Sequence, residues 1–206
     1  MGLRVFGGFH PVKSDNAPEG CRTMLMLGPD EPGFWDRVSS QPEFCDGRPD
    51  PLDRWSRRAV EPVAAELGAN ALFPFGGPPW LPFFSWALRT GRCWQSPVQF
   101  LVHDIAGLFI SFRAALAFSS EIALPNTPSG PPCQDCVEQP CLQACPVGVL
   151  DDRHYDAEGC RAHVSSVDGS DCLERGCNVR RSCPVSIAFG RSERQSQFHQ
   201  LAFISL

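Results

Sequence analysis

Eight cysteines crowd into residues 133–183, and this array restricts the chain's folding more than any other feature. The first half reads Cys133-x2-Cys136-x4-Cys141-x3-Cys145 and runs into Pro146. The second reads Cys160, then Cys172-x4-Cys177-x5-Cys183, and runs into Pro184. Each half offers four thiols and closes on Cys-Pro. Thiols at this density ask for something to bind. Disulfides are a poor answer. The cysteine total, 11, is odd, and the opening MGLRVFGGFHPVKSD lacks the apolar core of a secretory signal. A reducing, cytoplasmic location is therefore expected. Cys21, Cys45 and Cys93 stand apart and are expected to act as small core residues.

The spacing points to iron–sulfur chemistry. A cubane cluster takes four thiolates, one at each corner of a tetrahedron. Three from one tight loop leave a corner open, while the next cysteine, four positions on and followed by proline, points away. The two halves therefore cross. One [4Fe–4S] cluster takes Cys133, Cys136, Cys141 and Cys183. The other takes Cys145, Cys160, Cys172 and Cys177, so that eight thiols fill eight positions. Two zinc ions could use the same eight cysteines, although zinc ribbons present two separated Cys-x2-Cys knuckles. The usual ferredoxin motif has about two residues between its second and third cysteines. Here there are four, Val137 to Pro140, and the second half is looser still. Loss of the second cluster from a degenerate half is a further alternative.

Outside this region the chain reads as mixed α and β. RTMLMLG (22–28) suits a buried strand, and Phe34 and Val38 face inward from a short helix near Pro32 and Gly33. A longer helix starts at Asp50-Pro51, carries Leu52, Trp55, Ala59, Val63 and Leu67 at helical spacing, and stops at Gly68. Pro62 predicts a kink or break within it. Strands are expected over 71–75, 98–103 and 108–117, the last two joined by a turn at 104–107. Trp80, Phe83, Phe84 and Trp86 are expected in the core. NTPSGPP (126–132) reads as a linker.

With GLFISFRAALAFSSEIALP leading into CQDCVEQPCLQACP, and YDAEGC placing an isolated cysteine between the two motifs, the chain resembles the iron–sulfur half of epoxyqueuosine reductase and the related reductive dehalogenases. MLMLGPDEPGFWDR followed by DPLDRWSRRAV is similar to the start of the cobalamin-processing chaperone domain. These resemblances imply an α+β architecture: a flavin-reductase-like α+β domain over 1–125, a linker over 126–132, a small ferredoxin-like domain holding two [4Fe–4S] clusters over 133–190, and a tail over 191–206. They also imply a corrinoid as a further cofactor, with the clusters as its electron relay. Two departures limit the carry-over. ALFPFGGPPW contains no acidic proton donor, and CWQSPVQF stands where that family has a Gly-Lys-Asn segment. Neither the family's reaction nor its tRNA substrate follows.

Three functional readings emerge. One is single-electron transfer through two clusters, with a redox protein or a small molecule as partner. Another is a corrinoid-dependent reductase, and the third is a zinc-stabilised interaction protein. Whether the chain is an enzyme is left open. A net charge of −5 offers no basic face for nucleic acid. The most apolar segment, 105–118, is too short for a membrane span and contains Arg113. Arg113 calls for an internal anionic partner, Glu121 or Asp104. His103 reads as a turn residue, and Arg54, Arg57 and Arg58 as a solvated helix face. Arg180 and Arg181 read as cations that dock an acidic donor or offset cluster charge.

Overall fold

The computed structural model describes residues 2–127 and 130–205. Pro128 and Ser129, within the predicted linker, lie outside the described residues. The chain divides into two compact units. One comprises Met1–Cys93 with Ser111–Pro128, the other Trp94–Ile110 with Ser129–Leu206.

The first unit is built on an antiparallel sheet. Strands β1 (Leu3–Phe9), β2 (Thr23–Pro29), β3 (Ala69–Leu72) and β6 (Ala114–Phe118) lie in the order β1-β2-β6-β3. Side chains alternate between the two faces of a strand, and each face here receives a helix. Met24 and Met26 of β2 join Ala115 and Ala117 of β6 under Phe83 and Trp86 of α3 (Phe83–Arg89). On the other face, Leu27, Ala114, Leu116 and Phe118 meet Val60 and Ala64 of α2 (Pro51–Glu66). Covered on both sides, β6 is buried along its whole length, so its sequence AALAF is a continuous apolar run. Phe34, Trp35 and Val38 of α1 (Phe34–Val38) are buried as well.

Several sequence expectations change here. α2 runs unbroken through Pro62 to Glu66. Asp50 stands at its start in a left-handed conformation, with no capping hydrogen bond from its side chain. The strand expected at 71–75 lies at Ala69–Leu72, since β3 follows the register of β6, pairing Ala69 with Phe118 and Leu72 with Ala115. Of the four aromatics expected in the core, Phe83 and Trp86 are buried. Trp80 (67% exposed) and Phe84 (48%) face solvent. The expected hairpin of 98–103 with 108–117 does not form. β5 is only Leu101–His103 and pairs with β4 (Cys93–Gln95), whereas β6 pairs with β2 and β3. Arg113 pairs with neither Glu121 nor Asp104. Its guanidinium contacts Asp53 of α2 and donates to Ser56 Oγ at 3.1 Å. Glu121 is taken by Arg22 at 2.8 Å. Arg54 and Arg58 are not idle surface charges either, because they tie α2 to the preceding loop through Asp46 and Glu43. Cys93 is buried as expected, whereas Cys45 is exposed.

Among the described residues the second unit is made of short pieces: β5 with most of β4, five helices and several single 3-10 turns. Residues 94–110, read from sequence as part of the first domain, pack here. The Leu108 N–H donates to Ser186 Oγ at 2.8 Å. Gly107 lies so close that an added Cβ would sit 2.5 Å from the Ser186 backbone nitrogen, so glycine is required there. Residues 191–206 are not a loose tail. Within them, α8 (Glu193–Ile204) packs on α5 (Ser170–Arg175) and α4 (Ala157–Val164). Gln200 Nε2 donates to the Cys172 carbonyl at 3.1 Å, and Arg175 pairs with Glu193 at 2.7 Å.

Candidate metal centre

All eleven cysteines carry free thiols. Cys133 lies in a 3-10 turn (Pro132–Gln134), and the Cys136 N–H closes the following turn on its carbonyl at 3.3 Å. Cys141 lies in a second turn (Pro140–Leu142) entered through left-handed Gln139. Such tight turns bring three thiols of one loop to a common side without a regular helix or strand. Cys183 arrives from the far end of the unit. It sits between α6 (Asn178–Ser182) and α7 (Pro184–Phe189), where Pro184 takes the first position of α7 and needs no amide partner.

These four cysteines line one cavity of about 200 Å³. Val102, Leu108 and Val185 are part of its remaining wall, and among the described residues Asp135 is the one charged residue along it. Ser96 also lines it. Its hydroxyl is buried and has no hydrogen-bond partner among the described residues. Burial pushes the Cys133 thiol up to about 11, with added pressure from Cys141, Cys183 and Cys136. Cys141 is raised in the same way, by burial and then by Cys183 and Cys136. Thiols raised by one another's negative charge are thiols a cation would deprotonate.

The other four form a second neighbourhood. Cys160 lies one turn into α4, whose start is capped by Asp156 accepting from the Gly159 N–H at 2.9 Å. Cys172 is buried in α5, and Cys177 stands at the head of α6. Gly176 between them has φ 89°, and an added Cβ would meet Ser196 of α8 at 2.6 Å, so the sharp turn that presents Cys177 depends on glycine. Cys145 follows the second 3-10 turn. Burial raises Cys160, and Cys177, Cys145 and Cys172 raise it further, against the lowering effect of a hydrogen bond from Tyr155. The cysteines that raise Cys133 and Cys141 all belong to the first set, and those that raise Cys160 and Cys172 all belong to the second.

Among the described residues, no three His, Cys, Asp or Glu side chains approach closely enough to hold a metal ion directly. Thiolates around one tetrahedral zinc stand ~3.8 Å apart, given Zn–S bonds of about 2.3 Å. The first four cysteines instead line a common cavity.

The sequence reading missed two neighbours of the thiols, Tyr155 and Ser96. Tyr155, the chain's one tyrosine, is held beside Cys160 by a bridge between Leu150 and Tyr155. Ser96 carries no local motif. Arg180 and Arg181 read alike, yet Arg181 turns to Asp171 and Asn178 whereas Arg180 turns inward. His103 is fully buried, with Nδ1 accepting from the Ile105 and Ala106 N–H groups at 3.0 and 3.3 Å, and so serves its own turn. No protein-family model matches the chain, and no significant similarity to a curated protein or a solved structure was found.

Proposed function

We propose that the chain is an iron–sulfur protein whose two [4Fe–4S] clusters transfer single electrons. Cys133, Cys136, Cys141 and Cys183 hold the first cluster, and Cys145, Cys160, Cys172 and Cys177 the second. The observation that carries this reading is the cavity walled by four thiols, three from one loop and the fourth from the far end of the unit. The crossed spacing of the cysteines favours a cluster over a single zinc ion. In this reading the second unit is ferredoxin-like, and the first is the flavin-reductase-like scaffold that the sequence resemblance implies.

When bound, the clusters supply reversible one-electron redox chemistry with little change in geometry. The chain's own residues do the rest. The two Cys-Pro corners direct Cys145 and Cys183 away from their own loops and toward the opposite set. Val102, Leu108 and Val185 limit water at the first set, and Ser96 Oγ offers one neutral donor to sulfur. Tyr155 stands near Cys160, where its hydroxyl could hydrogen-bond to sulfur. Hydrogen bonds to sulfur and exclusion of water are the means by which a protein adjusts a cluster's potential.

Anaerobic purification tests the proposal. About eight irons and eight sulfides per chain are expected, with broad visible absorbance that dithionite bleaches and an EPR spectrum of two interacting centres once reduced. A colourless protein that holds only zinc overturns it. About four irons with a single isolated signal would place one cluster in the first set and leave the second half degenerate.

A further inference from the structure

A second cavity adjoins the one walled by the four thiols. It is an open cleft of about 730 Å³ within the second unit, and Ser96, Pro97, Cys133 and Gln139 line both. The two differ in chemistry. The thiol cavity is mostly apolar, whereas the cleft presents the amides of Gln95, Gln99, Gln134 and Gln139, with Asp152 as its one carboxylate among the described residues. No Lys, Arg or His among those residues lines it. Gln95 and Gln99 are bonded amide to amide, and Gln99 Nε2 donates to the Asp152 carbonyl at 2.7 Å, which fixes that wall. The side-chain amides of Gln134 and Gln139 have no hydrogen-bond partner among the described residues. Ser96 is 4% exposed, and its hydroxyl is likewise unpartnered among them. A buried polar group without a partner costs free energy, so one on a wall shared by two cavities points to ligands that complete it.

We propose that the cleft binds an uncharged quinone, and that electrons pass between this ring and the first thiol set across the shared wall at Cys133 and Ser96. This rests on the iron–sulfur reading above and names a small-molecule partner for it. The ligand class follows from the wall. With a carboxylate and no cation, the cleft disfavours phosphates, carboxylates and other anions. The unpartnered amides of Gln134 and Gln139 bring N–H donors, which suit carbonyl oxygens. A one-electron centre needs a partner that takes electrons singly, as a quinone does and a simple ketone or alcohol does not. A hydroxyl both donates and accepts. Ser96 Oγ, donating to sulfur on one side, keeps lone pairs that accept from the O–H of the reduced ring on the other. Each electron gained by the ring is one lost from the cluster that Cys133 helps to hold, and a one-electron donor, dithionite in the test, restores it. Two such electrons and two protons from water turn the ring's two carbonyls into hydroxyls. The cleft's size is that of pockets that hold small organic molecules.

The test uses the full chain, purified anaerobically, and duroquinone, whose four methyl groups block addition of thiols to the ring. Iron content is read first. A protein without iron overturns the cluster reading, and every later outcome concerns the cleft in an iron-loaded protein, so the two failures are distinguishable. Equilibrium dialysis against the oxidised protein reports binding without electron transfer and is expected to show one site per chain. Stopped-flow mixing of dithionite-reduced, desalted protein with duroquinone follows recovery of the visible absorbance, at a rate expected to saturate with quinone concentration. Gln134→Leu is expected to weaken binding about tenfold, the worth of one hydrogen bond, with iron content unchanged. If that variant loses iron, Gln134→Glu takes its place, since it keeps the shape without the N–H donors. FMN, a redox ring that carries a phosphate, is expected not to displace duroquinone. No binding in dialysis, or a rate that rises linearly without saturation, overturns the proposal. Unchanged affinity in the iron-loaded Gln134 variant also overturns it, as does displacement by FMN at equal concentration.

Discussion

The two units are held together by different means. The first buries both faces of a four-stranded sheet, and large side chains such as Trp86, Phe34, Met24 and Met26 are removed from water almost completely. The second has two short β-strands, helices mostly of five to eight residues, and a core in which Cys141 and Cys183 take places that Leu or Val would fill elsewhere. Helices this short are unstable alone and depend on packing. A unit that spends core positions on thiols has less apolar burial to draw on. In the first unit apolar packing stabilises the fold directly, whereas in the second, on the proposed function, a bound cluster would contribute.

The sharpest way to break that contrast is to strip the proposed clusters with a chelator under oxidising conditions and follow amide hydrogen exchange. Protection is expected to collapse across α4 to α8 and to persist in β2 and β6. Equal persistence in both units would show that the thiol-rich core stands without its ligand. The next effect in size lies inside the first unit, where Arg113 is buried against Asp53 and Ser56. Asp53→Ala leaves that guanidinium without its anion and should cost about 3–5 kcal/mol in denaturant unfolding of the first unit. A cost under about 1 kcal/mol would mean that Arg113 reaches water. The smallest effect concerns Glu43. Its hydrogen bond to Arg58 holds its carboxyl below the usual carboxylate range. The lowered group stabilises the fold above its unfolded pKa, and that contribution disappears as pH falls through the lowered value. Arg58 is half exposed, so the contribution should stay under about 1 kcal/mol. Thermal melts from pH 6 down to pH 3 should show the advantage of wild type over Glu43→Gln shrinking with acid. A constant difference would remove Glu43 from the pH dependence.

Legibility in the sequence was uneven for the same physical reasons. α1, β2 and α2 were readable because their signals are local: a proline and a glycine before a helix, an apolar run, a helical stripe ended by Gly68. The extent of β3 and the partners of β6 were not, because strand pairing depends on residues far away in the chain. The apolar run Leu108–Ala117 looked like one strand. It is split between two units: Leu108 bonds Ser186, and the Arg113 N–H donates to the Leu27 carbonyl at 2.8 Å where the sheet begins. Apolarity along a chain records burial but not what does the burying. The thiol region was more readable, since the spacing of cysteines within a tight loop limits which of them can face the same way.

The sequence by itself determined where the thiols stand and that they come in two halves, each ended by Cys-Pro. Tertiary structure alone decided which charges surround them. Arg180 and Arg181 are neighbours in the chain, but side chains one residue apart on a helix point about 100° apart. One therefore turns out to Asp171 and the other inward toward Phe100 and Tyr155. Arg113 likewise finds Asp53, 60 residues away, instead of the nearer acids Asp104 and Glu121. A motif written in a few residues survives without knowledge of the fold. A charge pairing depends on distance in space, which the fold alone sets.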